Sequence, residues 1–167
     1  MEEKKCGIFG HREIEITEEL EKKVENTFID LIENKNFTTF YFGGFGDFDE
    51  LSYQIITKLK EKYSHIRRIY VVENENYITN IRKRPKWLRE EDYEEIIYLS
   101  LHFDYWAKRI YYRNIAIVDE CDFIIFYVND QSGSGRYRGT GGSGSLKIMN
   151  YAKQKKKAFV NLGTITI

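Results

Sequence analysis

The chain has 167 residues, with 26 Lys and Arg against 26 Asp and Glu. This zero formal net charge disfavours a general nucleic-acid-binding protein, because such domains usually carry a basic excess. Hydrophobic residues make up 42% and aromatic residues 16% of the chain, which excludes a disordered protein, and apolar runs such as Phe123–Val128 are too short to span a membrane. The length fits one domain over residues 1–167.

The N-terminal residues, the cysteines and the histidines bear on localisation, disulfide bonds and metal binding. The first five residues are polar and lack the apolar region of a signal peptide, so we expect a cytoplasmic protein. Two cysteines, Cys6 and Cys121, form no disulfide framework, and we expect buried free thiols. The histidines His11, His65 and His102 are scattered and neither cysteine has a near partner, so the sequence predicts no metal site and no cofactor.

Short strand-like runs alternate with helical patterns along the chain. In chain order, we predict a strand at Cys6–Phe9, a helix from Thr17 to Ile32 with Thr17 as its N-cap, a strand at Thr39–Phe42, a helix from about Asp49 to Tyr63 and a strand at Ile69–Val72. A polar surface excursion follows over 74–93, with one helical turn around Trp87–Tyr93. The remaining predicted elements are a short strand at Ile96–Leu99, a helix at Asp104–Glu120, a strand at Phe123–Val128, a glycine-rich loop over 129–144, a helix from Ser145 to about Lys155 and a strand at Ala158–Leu162.

A strand, a glycine-containing turn and a helix follow one another three times, over residues 6–20, 39–62 and 123–155. This alternation predicts right-handed crossovers and a mainly parallel sheet with helices on both faces. The predicted fold is therefore a Rossmann-like α/β three-layer sandwich. In such open sheets, ligands bind where the loops after the strands' carboxyl ends meet.

The turn after the second predicted strand reads Gly43, Gly44, Phe45 and Gly46. Glycines there allow the backbone to approach a ligand closely, and the following helix offers unpaired amides to an anion. Neither a Walker motif nor a Gly-x-Gly-x-x-Gly motif is present, so an ordinary ATPase or dehydrogenase is not supported.

Acidic residues follow this turn, and their role has two interpretations. Asp47 and Glu50 form a spacing that resembles a capping box, in which side chains satisfy helix amides. Ligand contact by Glu50 remains an equal alternative, and we include Asp49 among the candidate ligand-binding residues.

The second glycine-rich turn also precedes a helix and contains Gly141, Gly142, Ser143, Gly144 and Ser145. A flexible linker would have this composition, but a linker is unusual between a core strand and a helix. We therefore favour contact with a phosphate or a ribose.

Two further groups of polar residues follow or precede core strands. Gly10, His11 and Arg12 directly follow the first strand, where we expect His11 to donate a positioning hydrogen bond rather than to act as a base. Arg113 and Asn114 lie among apolar residues of a predicted helix, and a buried arginine needs a partner. The partner of Arg113 could be the carboxylate of Asp119 or Glu120, or a phosphate of a ligand.

These turns in this order resemble the SLOG superfamily, the Rossmann-like group that includes the Lonely Guy phosphoribohydrolases and bacterial nucleotide-ligand sensors. The chain is most similar to a small stand-alone bacterial and phage branch of that group. The stretches that carry the resemblance are Gly10–Arg12, Phe40–Asp49, Tyr112–Asn114, Val118–Asp122, Gly141–Ser145 and Tyr151–Lys153.

The resemblance implies a site for a nucleotide-derived ligand. Lonely Guy enzymes cleave the N-glycosidic bond of a nucleoside monophosphate, and their signature is Pro-Gly-Gly-x-Gly-Thr-x-x-Glu with an arginine on the preceding helix. Here Arg113 stands at the place of that arginine, whereas Ile148 stands at the place of the glutamate. Isoleucine can neither stabilise positive charge on a ribose nor activate water, although Asp49 or Glu50 could supply a carboxylate from the other loop.

We therefore expect a protein that senses or sequesters a nucleotide-derived small molecule, such as an ADP-ribose-like or cyclic nucleotide signal in bacterial or phage conflict. The alternatives are a phosphoribohydrolase that uses Glu50 and Arg113, and a structural or interaction domain. The aromatic stretch from Phe103 to Tyr112 exceeds the needs of a small core and predicts a homodimer or larger homo-oligomer.

Overall fold

Six strands form one sheet in the computed structural model, which describes residues 3–43, 46–75, 93–129 and 144–163. The strands are β1 (Lys4–Gly10), β2 (Phe37–Phe42), β3 (Arg67–Val72), β4 (Glu95–Tyr98), β5 (Phe123–Tyr127) and β6 (Ala158–Asn161). They lie in the order β4-β3-β2-β1-β5-β6, and each neighbouring pair is parallel. The predicted Rossmann-like α/β fold is confirmed.

Helices cover both faces of this sheet. The described helices are α1 (Glu18–Lys35), α2 (Asp47–Lys62), α3 (Trp106–Glu120) and α4 (Gly144–Gln154). The first two pack on one face, and α3 and α4 pack on the other. Helix α2 begins two residues before its predicted start and α3 begins two residues after, which is the usual uncertainty at helix ends.

Alternate residues of each central strand belong to different cores. In β1, Ile8 packs with the residues of α1 and α2, whereas Phe9 packs with those of α3 and α4. In β5, Ile125 belongs to the first core and Ile124 to the second. Successive side chains of a strand point to opposite faces, so an apolar run without polar alternation is buried on both sides.

The ends of α1 follow from its flanking residues. The Thr17 hydroxyl accepts a hydrogen bond from the Leu20 amide at 3.1 Å, which is the predicted N-cap. At the other end Asn36 adopts a left-handed conformation, and its amide bonds to the Leu31 carbonyl. This cap turns the chain directly into β2.

The strand order places a topological switch point between β1 and β5. From β1 the chain builds outward through β2, β3 and β4, then crosses the sheet to add β5 on the other side of β1. The connections after β1 and β5 therefore leave in opposite directions. A crevice forms at such a point beyond the carboxyl ends of the strands.

Some predictions fall on residues outside the described ranges. These are Gly44, Phe45, Gly141, Gly142, Ser143 and the helical turn around Trp87. The two ends of the predicted surface excursion are described, and both contradict it, because Asn74 and Tyr93 are buried. Asn74 lies two residues after β3 and Tyr93 two residues before β4, and the Asn74 side-chain amide donates to the Leu101 carbonyl at 2.7 Å.

The helices and the polar side chains of the described residues bear on membranes and metals. None of the described helices is long and apolar enough to cross a membrane. Within the same residues, no three or more His, Cys, Asp and Glu side chains cluster as metal ligands would. Cys6 and Cys121 are buried and carry free thiols, and burial raises the pKa of each thiol.

Candidate functional site

A cavity of about 570 Å³ opens at the switch point. It is bounded by the turns after β1 and β2, the first turn of α2, one face of α3 and the first turn of α4. The predicted site residues that line it are Gly10, His11, Arg12, Gly43, Asp49, Arg113, Asn114, Gly144 and Ser145. Residues from five separate segments are thus brought together as the sequence predicts, while their contact with a ligand remains a prediction.

His11 joins the two turns that border the switch point. Its amide donates to the Tyr127 carbonyl at 3.2 Å, and its Nε2 accepts a hydrogen bond from the Asn129 amide at 3.1 Å. Burial lowers the pKa of His11, which favours the neutral ring. The predicted donor role is wrong for this nitrogen, because a backbone N–H occupies its lone pair.

The turn after β1 also contacts the start of α2. The Asp47 amide donates to the Arg12 carbonyl at 2.8 Å, and the Asp47 carboxylate accepts from the Ile14 amide at 3.0 Å. Gly46 has φ +94°, and a Cβ there would lie 2.7 Å from the Arg12 Cα. Only glycine fits this close approach without strain.

Glu50 does not cap helix α2, whereas its contact with a ligand stays a prediction. The N-cap of α2 is Gly46, and no side chain caps that end. The Glu50 carboxylate accepts instead from the Gln54 side chain at 3.2 Å, one helical turn along α2. Glu50 is absent from the cavity lining, whereas Asp49 lines it; consecutive helix residues point in different directions, which explains the difference.

Arg113 is buried and holds the turn after β2 in place. Its Nη1 donates to the Gly43 carbonyl at 3.0 Å. Its Nε and Nη2 donate to the Asn114 Oδ1 at 3.2 and 3.0 Å. The guanidinium therefore connects α3 to the carboxyl end of β2, and a Cβ at Gly43 would lie 2.6 Å from its Nη2.

The predicted carboxylate partners of Arg113 are wrong. Asp119 accepts from the Tyr151 hydroxyl at 2.7 Å, and Glu120 pairs with Lys5. Both lie near the end of α3, more than one turn from Arg113, and both are exposed.

The acidic partner of Arg113 is Glu73, which the sequence does not predict. Its side chain is 0% exposed, and its Oε2 lies 3.9 Å from the Arg113 Nη1. No described residue donates a hydrogen bond to its carboxylate oxygens. Its position along the chain could have identified Glu73 as a site residue, because it directly follows β3. Gly10, the last residue of β1, and Gly43, which follows β2, lie at the same edge of the sheet.

Exposed cations and a tryptophan border the opening of the cavity. Arg12, Lys108 and Lys147 are exposed and line it together with Trp106, and we call these four residues the rim. The Arg12 guanidinium lies 4.9 Å from the centre of the Trp106 ring, within range of a cation–π interaction. Of these four residues, the sequence predicts only Arg12 as a site residue.

Buried polar residues line the inner part. His11, Asp49, Arg113 and Asn114 are all buried, and we call them the floor. Asp49 is the only carboxylate among the described lining residues. It lies in the first turn of α2, where the helix dipole favours a negative charge.

Helix α4 presents its N-terminal end to the cavity. Gly144, Ser145 and Lys147 line it, whereas Ile148 is fully buried in the core between α4 and the sheet. Ile148, which stands where the resemblance implies a catalytic glutamate, therefore faces the core and not the cavity. The first amides of a helix have no intrahelical partner and favour an anion, and Lys147 adds a positive charge beside them.

Comparison with known proteins shows the fold. No protein-family profile and no curated protein matches the chain. Among solved structures, the molybdenum cofactor binding protein of Rippkaea orientalis has a TM-score of 0.59 at 17% identity, with 99% of this chain and 79% of that chain covered.

Two further structures are similar. The Moco carrier protein of Chlamydomonas reinhardtii has a TM-score of 0.54 at 15% identity, covering 98% of this chain and 78% of that one. TM1055, a structural-genomics target, has a TM-score of 0.54 at 12% identity, covering 93% of this chain and 72% of that one. The chain therefore shares the Rossmann-like fold of these proteins over nearly its whole length.

Proposed function

We propose that this chain binds a nucleotide-derived small molecule in the cavity at the switch point and keeps it intact, as a sensor or sequestering protein for a signal such as an ADP-ribose-like or cyclic nucleotide. The observation that carries the proposal is the combination of a basic rim with a buried polar floor in one cavity. The proposal keeps the bacterial or phage conflict setting that the SLOG resemblance implies.

The rim supports binding of the phosphate. Arg12, Lys108 and Lys147 are exposed and lie around the same opening, and the start of α4 lies beside Lys147. A phosphate needs charge-assisted donors and backbone amides, and both are supplied at this place. Trp106 offers an aromatic surface to a planar ring.

The structural neighbours support small-molecule binding in this fold. Two of them are named for the molybdenum cofactor that they bind or carry. This cofactor therefore belongs in a ligand screen beside nucleotides.

A binding role is favoured over hydrolysis by the identity of the lining residues. Glycoside hydrolysis ordinarily uses two carboxylates on either side of the bond, and the described part of the lining contains only Asp49. Glu50, the carboxylate of the hydrolase alternative, lies elsewhere on α2. If the chain hydrolyses nucleotides, Asp49 is the residue that would supply the carboxylate.

The first experiment identifies the ligand and its fate. Protein purified from cells is analysed by native mass spectrometry, and the bound molecule is then recovered after denaturation and separated by chromatography. We expect a stoichiometric ligand that is unchanged after prolonged incubation, and no base release from nucleoside monophosphates. Turnover that Asp49→Asn abolishes would replace the binding proposal with the hydrolase.

A matched pair of variants locates the phosphate. Lys147→Glu reverses a charge at the cavity, whereas Lys153→Glu reverses a charge on the same helix away from the lining. We expect Lys147→Glu to weaken binding of ribose 5-phosphate at least tenfold and Lys153→Glu to leave it nearly unchanged. Equal effects of the two variants would show that the phosphate binds elsewhere.

We also propose that the chain forms a homodimer or larger homo-oligomer. Tyr105 is 78% exposed and Tyr112 is 40% exposed, and Phe103 stacks on Tyr112 with ring centroids 5.1 Å apart. Exposed aromatic groups of this kind often mark contacts between subunits. A monomeric mass by light scattering at micromolar concentration would contradict the proposal.

A further inference from the structure

Two uncharged side chains of the floor each use one polar atom to hold the protein together. His11 is 4% exposed and Asn114 is 9% exposed, and both line the cavity. The His11 Nε2 accepts from the Asn129 amide at 3.1 Å. The Asn114 Oδ1 accepts two bonds from Arg113, at 3.2 and 3.0 Å. These bonds determine which atom of each side chain remains for a ligand.

The Asn129 amide determines the tautomer of His11. A backbone N–H group only donates, so the ring nitrogen that accepts from it carries no proton. Burial lowers the pKa of His11, which favours the neutral ring, and a neutral imidazole with an unprotonated Nε2 carries its proton on Nδ1. Nδ1 is therefore a hydrogen-bond donor, and no described residue accepts a hydrogen bond from it.

Neighbouring contacts fix both partners of this hydrogen bond. The Asn161 side chain accepts from the Val128 amide and donates to the Val128 carbonyl, each at 2.9 Å, so the backbone directly before Asn129 is held to β6. The His11 ring lies edge-on to Tyr127, with ring centroids 6.3 Å apart and planes at 87°. The orientation of the His11 ring, and with it the position of Nδ1, is therefore set by the fold.

Arg113 determines the orientation of the Asn114 amide in the same way. A guanidinium has donors and no acceptor, so the atom that receives its two bonds is the amide oxygen. The Asn114 Nδ2 group is the other branch of the side chain, and no described residue accepts a hydrogen bond from it. The floor therefore offers two uncharged donors, whereas the exposed cations of the rim offer charged ones.

We propose that His11 Nδ1 and Asn114 Nδ2 are specificity-determining donors that select a ligand with a planar base at the end opposite its phosphate, and that they bind uncharged acceptors of that base, namely unprotonated ring nitrogens or carbonyl oxygens. This inference rests on the proposed binding function and names the chemistry of the second end of the ligand. A buried donor without an acceptor lowers the stability of a complex, so a ligand that lacks these acceptors binds more weakly.

The uncharged state of the two donors favours a base over a phosphate at this depth. A phosphate beside His11 would favour the doubly protonated ring. That ring could not accept from the Asn129 amide, so the bond at Nε2 would be lost. The rim, with three cations and the start of α4, is the better place for the phosphate.

Three variants separate the ligand-facing atom of each side chain from its protein-facing atom. His11→Gln keeps an oxygen that accepts from the Asn129 amide and removes the N–H group at the Nδ1 position. Asn114→Asp keeps an oxygen for Arg113 and replaces the Nδ2 donor with an acceptor. His11→Asn is the matched control, because its amide nitrogen reaches the Nδ1 position while the bond from Asn129 is lost.

The first test is calorimetric titration of adenosine 5′-phosphate, inosine 5′-phosphate and ribose 5-phosphate, the last of which has no base. In the wild type, we expect at least one nucleotide to bind more tightly than ribose 5-phosphate. The ratio of these two affinities should fall about tenfold in His11→Gln and in Asn114→Asp, as expected for the loss of one hydrogen bond, and should persist in His11→Asn. A ratio within one variant is unaffected by a partly inactive sample.

The second test uses the wild type alone. Long-range ¹H–¹⁵N spectra identify which ring nitrogen of His11 carries the proton. We expect the proton on Nδ1 at neutral pH, and a shift of that resonance when the tighter-binding nucleotide is added. A proton on Nε2, or an Nδ1 resonance that the nucleotide leaves unchanged, would overturn the role of His11 even if no variant folds.

The outcomes of the titrations distinguish this inference from the proposed function. Failure of all three probes to bind would contradict the proposed function itself. Nucleotides that bind no more tightly than ribose 5-phosphate would overturn selection by the two donors while leaving phosphate binding in place. A ratio that persists in His11→Gln or Asn114→Asp would overturn the role of the residue replaced, and so, for His11, would an equal loss in His11→Asn and His11→Gln.

Discussion

The floor and the rim of the cavity differ in how much of each is already used by the fold. At the floor, Arg113 bonds to Gly43 and Asn114 and lies near Glu73, and His11 connects the turns after β1 and β5. At the rim, Lys147 and Lys108 are exposed cations at the cavity opening. Burying a polar group lowers the stability of the fold unless that group is hydrogen-bonded or paired. The polar side chains of the floor therefore bond to one another and to the backbone.

Floor and rim residues should therefore contribute differently to stability and to ligand binding. Substitution at the floor should change the free energy of unfolding together with binding. Substitution at the rim should change binding alone, because exposed side chains contribute little to stability. The following predictions test that division, from the largest expected effect on stability to the smallest.

Arg113→Ala should lower the free energy of unfolding by about 3 kcal/mol, because it leaves the Glu73 carboxylate buried without a counter-charge. Urea denaturation measures the loss. The matched control is the double variant Arg113→Met with Glu73→Gln, which removes both charges and should recover much of it. A loss below about 1 kcal/mol in the single variant would mean that the pair carries little of the floor's stability.

Gly43→Ala should destabilise the protein by about 1 to 3 kcal/mol, since overpacking a buried site carries a cost of this size. The new Cβ would lie 2.6 Å from the Arg113 Nη2, so the guanidinium must move. Gly144→Ala is the control, because a Cβ there meets no atom within 4 Å. Thermal and urea unfolding of both variants would show equal losses if the contact with Arg113 were unimportant.

The third prediction concerns pH. Burial lowers the pKa of His11 in the folded state, so below about pH 6.5, the ordinary pKa of histidine, the unfolded chain binds a proton that the folded chain excludes. The contribution of His11 should therefore reduce stability as the pH falls from 7.5 to 5.5. His11→Gln should flatten this part of the curve, and an identical slope in both proteins would contradict the assignment.

Lys108→Ala should have the smallest effect on stability, within about 0.5 kcal/mol, as is usual for an exposed side chain. Its ammonium lies 4.5 Å from the centre of the Phe103 ring, a contact that contributes little at the surface. Ribose 5-phosphate binding should nevertheless weaken severalfold. A stability loss comparable to that of Arg113→Ala would remove the distinction between rim and floor.

The sequence predicts those features that depend on local patterns. Thr17 caps α1 as expected, and the apolar runs of β1 and β5 lie inside a parallel sheet. Gly10, His11, Arg12 and Gly43 reach one cavity because loops after parallel strands share an edge of the sheet.

The features that the sequence did not predict depend on contacts between distant segments. Glu73 and Arg113 are 40 positions apart, and only the packing of α3 against the end of β3 brings them together. Glu50 was favoured over Asp49 as the catalytic carboxylate because spacing alone does not determine which helix residue faces the cavity. Lys108 and Lys147 look like ordinary surface lysines until α3 and α4 are placed beside each other.

The most direct test of the central claim is a map of amide chemical shifts in ¹⁵N-labelled protein during titration with ribose 5-phosphate. The account predicts saturable shifts that are largest at the amides of Gly144, Ser145 and Lys147 and at the turn of His11 and Arg12, with smaller changes elsewhere in the described residues. Shifts that are absent, or that are largest on the opposite edge of the sheet, would contradict a phosphate site at this rim.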